Sequence, residues 1–140
     1  MAANPFLLPV FLLIAWTLLI WIWMYATRIP AIMKANMDMD SDAPRGSQMA
    51  QLPAKVRWKA DNYDHLLEQP TLFYAAALAL AVFKIDSPFA VQCAWAYLVL
   101  RVVHTLVQTL GNNILLRFGI FVLSTLPLFG MTFVGLSHLL

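Results

Sequence analysis

Charge is scarce in this chain. Only 11% of its 140 residues are Asp, Glu, Lys or Arg, while 61% are hydrophobic. A water-soluble domain carries about 25% charged and about 45–50% apolar residues, so an ordinary soluble protein is excluded. A single cysteine excludes a disulfide scaffold. Five glycines and eight prolines without a period exclude a collagen-like chain, and the hydrophobicity excludes a disordered one. A net charge of +2 is too small, and its basic residues too scattered, for nucleic-acid binding. There is no internal repeat and no low-complexity tract. What remains is a one-domain integral membrane protein whose few charges each need a reason.

Four apolar stretches are long enough to span about 30 Å of hydrocarbon. The first covers about residues 5–27. Pro5 and Pro9 stand at its start, Trp21, Trp23 and Tyr25 form an interfacial belt at its far end, and Arg28 closes it. It lacks the basic start and the shortness of a cleaved signal peptide. A polar loop follows over about 28–53, with Lys34, Asp38, Asp40, Asp42 and Arg45 among Pro and Gly. The second span is expected over about 54–84, the third over 88–110 and the fourth over 114–137, where Pro127 introduces a kink. Arg28, Lys34, Arg45, Lys55, Arg57 and Lys59 all flank the 28–53 loop, whereas the other side offers only Lys84. The positive-inside rule then places the loop in the cytoplasm and both termini on the opposite side. The expected fold is an all-α, integral membrane four-helix up-down bundle, with Cys93 as an apolar filler.

Seven ionisable residues fall within these spans: Asp61, Asp64, His65, Glu68, Arg101, His104 and Arg117. Each costs about 2.5–3.5 kcal/mol at bilayer depth unless paired or hydrated. Arg57, Asp61, Asp64, His65 and Glu68 recur every three or four residues, as one stripe on helix two. Arg101, His104 and Gln108 do the same on helix three. At about 1.5 Å per residue, Glu68 and Arg101 both lie roughly 14–16 Å deep, His65 and His104 roughly 9–12 Å, and Asp61 and Arg117 roughly 6 Å. Acid is expected to meet base in each layer. The stripes line either a cleft for a charged ligand or a structural network built on a Glu68–Arg101 pair that fixes helix register. Arg117 has no acid near it in sequence and either binds an anion or snorkels to the surface. His65 and His104, at similar depth, also admit a b-type haem reading, which an absorbance spectrum without a Soret band would remove.

The stretch Asp61-Asn62-Tyr63-Asp64-His65-Leu66-Leu67-Glu68-Gln69-Pro70, followed by Leu72-Phe73-Tyr74, resembles helix two of the MAPEG superfamily, the membrane-associated proteins of eicosanoid and glutathione metabolism. Tyr97-Leu98-Val99-Leu100-Arg101-Val102-Val103-His104-Thr105, and Arg117 at the opening of helix four, resemble the same family. The resemblance implies a homotrimer with glutathione sites between subunits near the cytoplasmic face. It implies Arg117 as the residue that activates the thiol, and a ligand set of Arg57, Asn62, His65, Glu68, Arg101 and His104. A guanidinium beside a thiol favours the nucleophilic thiolate. Three positions depart from the family pattern: His65 replaces an asparagine, Asp61 an arginine, and Gln108 a tyrosine. The resemblance is nearest to a bacterial branch, which implies an inner-membrane location. Two functions follow from it as expectations. One is a glutathione-dependent transferase or peroxidase acting on lipophilic substrates. The other is a non-catalytic structural or lipid-binding subunit of a larger membrane complex. Membrane lipids are partners in both.

Overall fold

The computed structural model describes residues 4–140 and is helical throughout its regular structure. Helix α1 runs Leu7–Lys34. It passes the expected end at residue 27 by about two turns, because the shift to polar residues marks where apolar surface stops rather than where helix propensity stops. The chain reverses at Asn36, which takes a left-handed φ of 47°, and the following loop is pinned by one side chain. Gln48 donates to the Asp38 carbonyl at 2.6 Å and accepts from the Asp40 N–H at 3.2 Å. A single 3-10 turn at Met49–Gln51 leads to Pro53 and then to α2, Ala54–Leu67.

The second span is not one helix. It breaks at Glu68, whose ψ is −96°, and resumes as α3 over Pro70–Val82. Pro70 causes the break: it has no N–H for the Leu66 carbonyl, and its ring collides with the turn before it. As the first residue of a new helix the same proline is well placed. The remaining helices start where their caps require. Ser87 Oγ accepts from Ala90 N–H at 3.2 Å and opens α4, Pro88–Leu110. Asn113 Oδ1 accepts from Leu116 N–H at 3.0 Å and opens α5, Ile114–Leu139, which contains Pro127.

Helix α4 is central and packs on α1, α2 and, most extensively, α5, while α3 lies against α1 and α5. Its buried face carries Ala90, Cys93, Ala94, Tyr97, Leu98 and Arg101. Tyr97 stacks on Phe73 with ring centroids 4.6 Å apart. The α4–α5 approach depends on Gly130, where a β-carbon would stand 2.9 Å from Cys93 Sγ and 3.2 Å from the Phe89 ring. Outward faces are apolar, with Phe11, Leu18, Leu115, Phe129 and Phe133 exposed, the pattern of a bundle surrounded by hydrocarbon rather than water. Among the described residues, α1, α4 and α5 are each long and apolar enough to cross a membrane. The other limb is shared between a polar α2 and the 13 residues of α3, roughly 20 Å.

Candidate functional site

The break in the second limb organises the polar interior. A continuous helix would commit the His65 carbonyl to the Gln69 N–H. At the break that oxygen instead accepts from Arg101 Nη2 at 2.9 Å. The Glu68 carbonyl takes Thr71 Oγ1 at 2.6 Å and Thr71 N–H at 3.2 Å. The Gln69 side chain ties the break to both neighbours, accepting from the Tyr97 hydroxyl at 3.3 Å and donating to Thr125 Oγ1 at 3.0 Å. A buried break in a membrane helix is tolerable only where such partners satisfy the freed groups.

Arg101 is therefore not the partner of Glu68. Its guanidinium is fully buried, bonded to a backbone carbonyl, and passes 5.9 Å from the Phe121 ring. The Glu68 side chain is 68% exposed and meets His65, Nδ1 to Oε2, at 3.1 Å. The expected Glu68–Arg101 pair is corrected: Arg101 is bonded to the His65 carbonyl, and the Glu68 carboxylate meets the His65 ring. Buried beside Arg101 are His104, Thr105 and Gln108 of α4, together with Asn62 of α2. Asn62 donates to Gln108 Oε1 at 2.9 Å. Arg101 Nε and Nη1, His104 Nδ1, Thr105 Oγ1, Gln108 Nε2 and Asn62 Oδ1 find no protein partner. This polar layer is unusual for an apolar bundle, because each such atom is costly to bury.

In front of it lies a cleft of about 350 Å³ between α2, α4 and α5. His65, Glu68, His104 and Arg117 form its polar end, and Ile114, Leu115, Phe118 and Phe121 its apolar wall. The two imidazoles meet edge to face with centroids 6.2 Å apart. Arg117 is half-buried and donates from Nη1 to Asn112 Oδ1 at 2.7 Å. Asn112 was missed in the sequence because it reads as a turn residue. Its left-handed φ of 49° ends α4 and brings its side chain within reach of Arg117.

The expected single stripe on helix two is divided. Arg57, Asp61 and Asp64 turn to the other side and line a second cleft of about 250 Å³ with Arg28 of α1 and Gly46, Met49 and Ala50 of the loop. Asp61 thus lines the second cleft while Arg117 lines the first, and the expected acid–base pairing of those two is corrected. Among the described residues, His65–Glu68 is the one close contact between a basic and an acidic side chain. Lys59 is accounted for separately: its Nζ donates to the Lys55 carbonyl at 2.7 Å and stands 4.8 Å above the Trp23 ring, joining α2 to α1.

The fold is that of a helical membrane protein with a cleft that is polar at one end and apolar along one wall. The chain belongs to the MAPEG family, whose model matches residues 6–137. No curated protein and no solved structure gives a significant match.

Proposed function

We propose that this MAPEG protein is a glutathione-dependent transferase or peroxidase acting on lipophilic substrates, and that it works in the cleft between α2, α4 and α5. The observation that carries the reading is the composition of that cleft. A guanidinium, two imidazoles and a carboxylate stand at one end, and Ile114, Leu115, Phe118 and Phe121 at the other. A small polar thiol with carboxylates suits the first, and an apolar electrophile suits the second. Arg117 supplies the fixed positive charge, because a guanidinium stays protonated and stabilises an anionic sulfur beside it. Of the ligand set, His65, Glu68 and His104 belong to this cleft. Arg101 and Asn62 act from behind it, and Arg57 belongs to the other side. The proposal includes a homotrimer in the membrane, with the 28–53 loop on the cytoplasmic side and both termini opposite. Isothermal titration of the detergent-solubilised protein with glutathione tests it: saturable heat at millimolar ligand supports the reading, and none removes it.

One observation favours a second reading, a non-catalytic or lipid-binding subunit of a larger membrane complex. Gln108 is spent in the interior on Asn62 rather than turned to the cleft. Stoichiometric partner proteins retained in mild detergent would support that reading, and an isolated protein with turnover would oppose it.

A further inference from the structure

We infer that His65 is the general base of the cleft and that Glu68 is its positioning residue. The inference rests on the thiol-transferase reading and extends it to the step which that reading leaves open, the fate of the thiol proton. A thiol is a poor nucleophile until it ionises. Arg117 can stabilise the resulting anion, but a guanidinium has no lone pair to accept the proton. A proton acceptor in the same cleft supplies that step.

The candidates there are Glu68, His104 and His65. A solvent-exposed carboxylate is too weak a base for a thiol, and the Glu68 side chain is 68% exposed. His104 is only 4% exposed and lies against Phe121, the ring that also faces the Arg101 guanidinium. A proton there would set a second buried cation beside the first. His65 differs in each respect. Its side chain is 40% exposed, and Nδ1 is held by Glu68 Oε2 at 3.1 Å. A carboxylate on that nitrogen fixes the proton on Nδ1 and leaves the Nε2 lone pair available, the arrangement by which a carboxylate orients a catalytic imidazole. Nε2 has no hydrogen-bond partner in the fold among the described residues.

The backbone holds the same residue from the other end. Arg101 Nη2 donates to the His65 carbonyl at 2.9 Å. Glu68 reaches the ring as its i,i+3 neighbour at the end of α2. The charged and titratable groups around His65 are thus Glu68 on its own limb, Arg101 and His104 from α4, and Arg117 from α5.

The step balances without an oxidant. The thiol proton passes to His65 Nε2, and the imidazolium is stabilised by the Glu68 carboxylate. The sulfur, held as an anion beside Arg117, attacks the β-carbon of an α,β-unsaturated aldehyde lying on the apolar wall. A C–S bond forms as the C=C π pair moves to the carbonyl oxygen. The proton on Nε2 then returns to the α-carbon, and the product is the saturated thioether.

The test uses the full-length protein in detergent, with glutathione and trans-2-nonenal as probes. His65→Asn, which keeps a hydrogen-bonding side chain, is expected to lower kcat about 10²-fold or more at neutral pH. Glutathione should still bind to that variant by calorimetry. The deficit should shrink as pH rises towards the thiol's own ionisation, and added imidazole should restore saturable activity to His65→Ala. Glu68→Gln is expected to lower kcat about tenfold with KM unchanged. Wild-type turnover combined with a His65→Asn variant of unchanged kcat and pH profile overturns the base assignment and leaves the transferase reading intact. A wild-type protein that neither binds glutathione nor turns it over overturns both.

Discussion

Two clefts flank α2, and each is lined by four ionisable side chains. On one side stand His65, Glu68, His104 and Arg117, and on the other Arg28, Arg57, Asp61 and Asp64. They differ in what lies behind them. The first is backed by buried Arg101, Asn62, Thr105 and Gln108 and walled by Phe118 and Phe121. The second is closed by the loop around Gly46–Ala50 and by the end of α1 at Arg28, and its Arg57, Asp61 and Asp64 are exposed. Charge number therefore does not distinguish them. What distinguishes them is the opposing surface, because α4 and α5 hold side chains in place while the loop leaves them solvated.

That comparison can be broken most severely at Arg101. Arg101→Ala removes a fully buried side chain and strands the His65 carbonyl, so a stability loss of about 3 kcal/mol or more is expected in thermal unfolding. Arg101→Met should recover much of it, since Nε and Nη1 have no partner to lose. A smaller loss, about 1–3 kcal/mol, is expected for Asn62→Ala, which leaves the Gln108 carbonyl oxygen without its donor. Glu68→Ala sharpens the comparison from within the first cleft. Its carboxylate is exposed and Arg101 does not depend on it, so the midpoint of unfolding should shift by no more than about 1 kcal/mol in equivalent stability. The smallest effect belongs to the second cleft. Asp61→Asn should change stability by less than about 0.5 kcal/mol, as exposed substitutions away from caps and cores do.

The sequence carried the loop and the three spans at α1, α4 and α5 clearly, since long apolar runs and their interruption are local signals. It carried the gathering of His65, Glu68, His104 and Arg117 only in part. Counting residues along a helix gives depth, and at equal depth Glu68 and Arg101 look like partners. Depth is one coordinate, however, and direction around the axis is another. On an unbroken helix Glu68 shares the face of Arg57, Asp61 and Asp64, at intervals of four, three and four. Glu68 is also three residues from His65, and it is that neighbour its side chain meets. Pro70 was visible, but a proline within a membrane span is often absorbed by neighbouring helices. Whether it breaks the helix depends on Arg101 being in place to receive the freed His65 carbonyl, and on Tyr97 and Thr125 to hold the Gln69 side chain. Those partners come from other helices, so no local pattern reports them.

The central claim is that the cleft between α2, α4 and α5 is the working site and the loop-side cleft is not. Calorimetric titration of glutathione into the wild-type protein, Arg117→Ala and Arg57→Ala tests it directly. Loss of one charge-assisted contact should weaken binding to Arg117→Ala about tenfold or more. Arg57→Ala should bind within about twofold of wild type, because its guanidinium is exposed on the other face. Equal losses in both variants, or a larger loss in Arg57→Ala, would contradict the account.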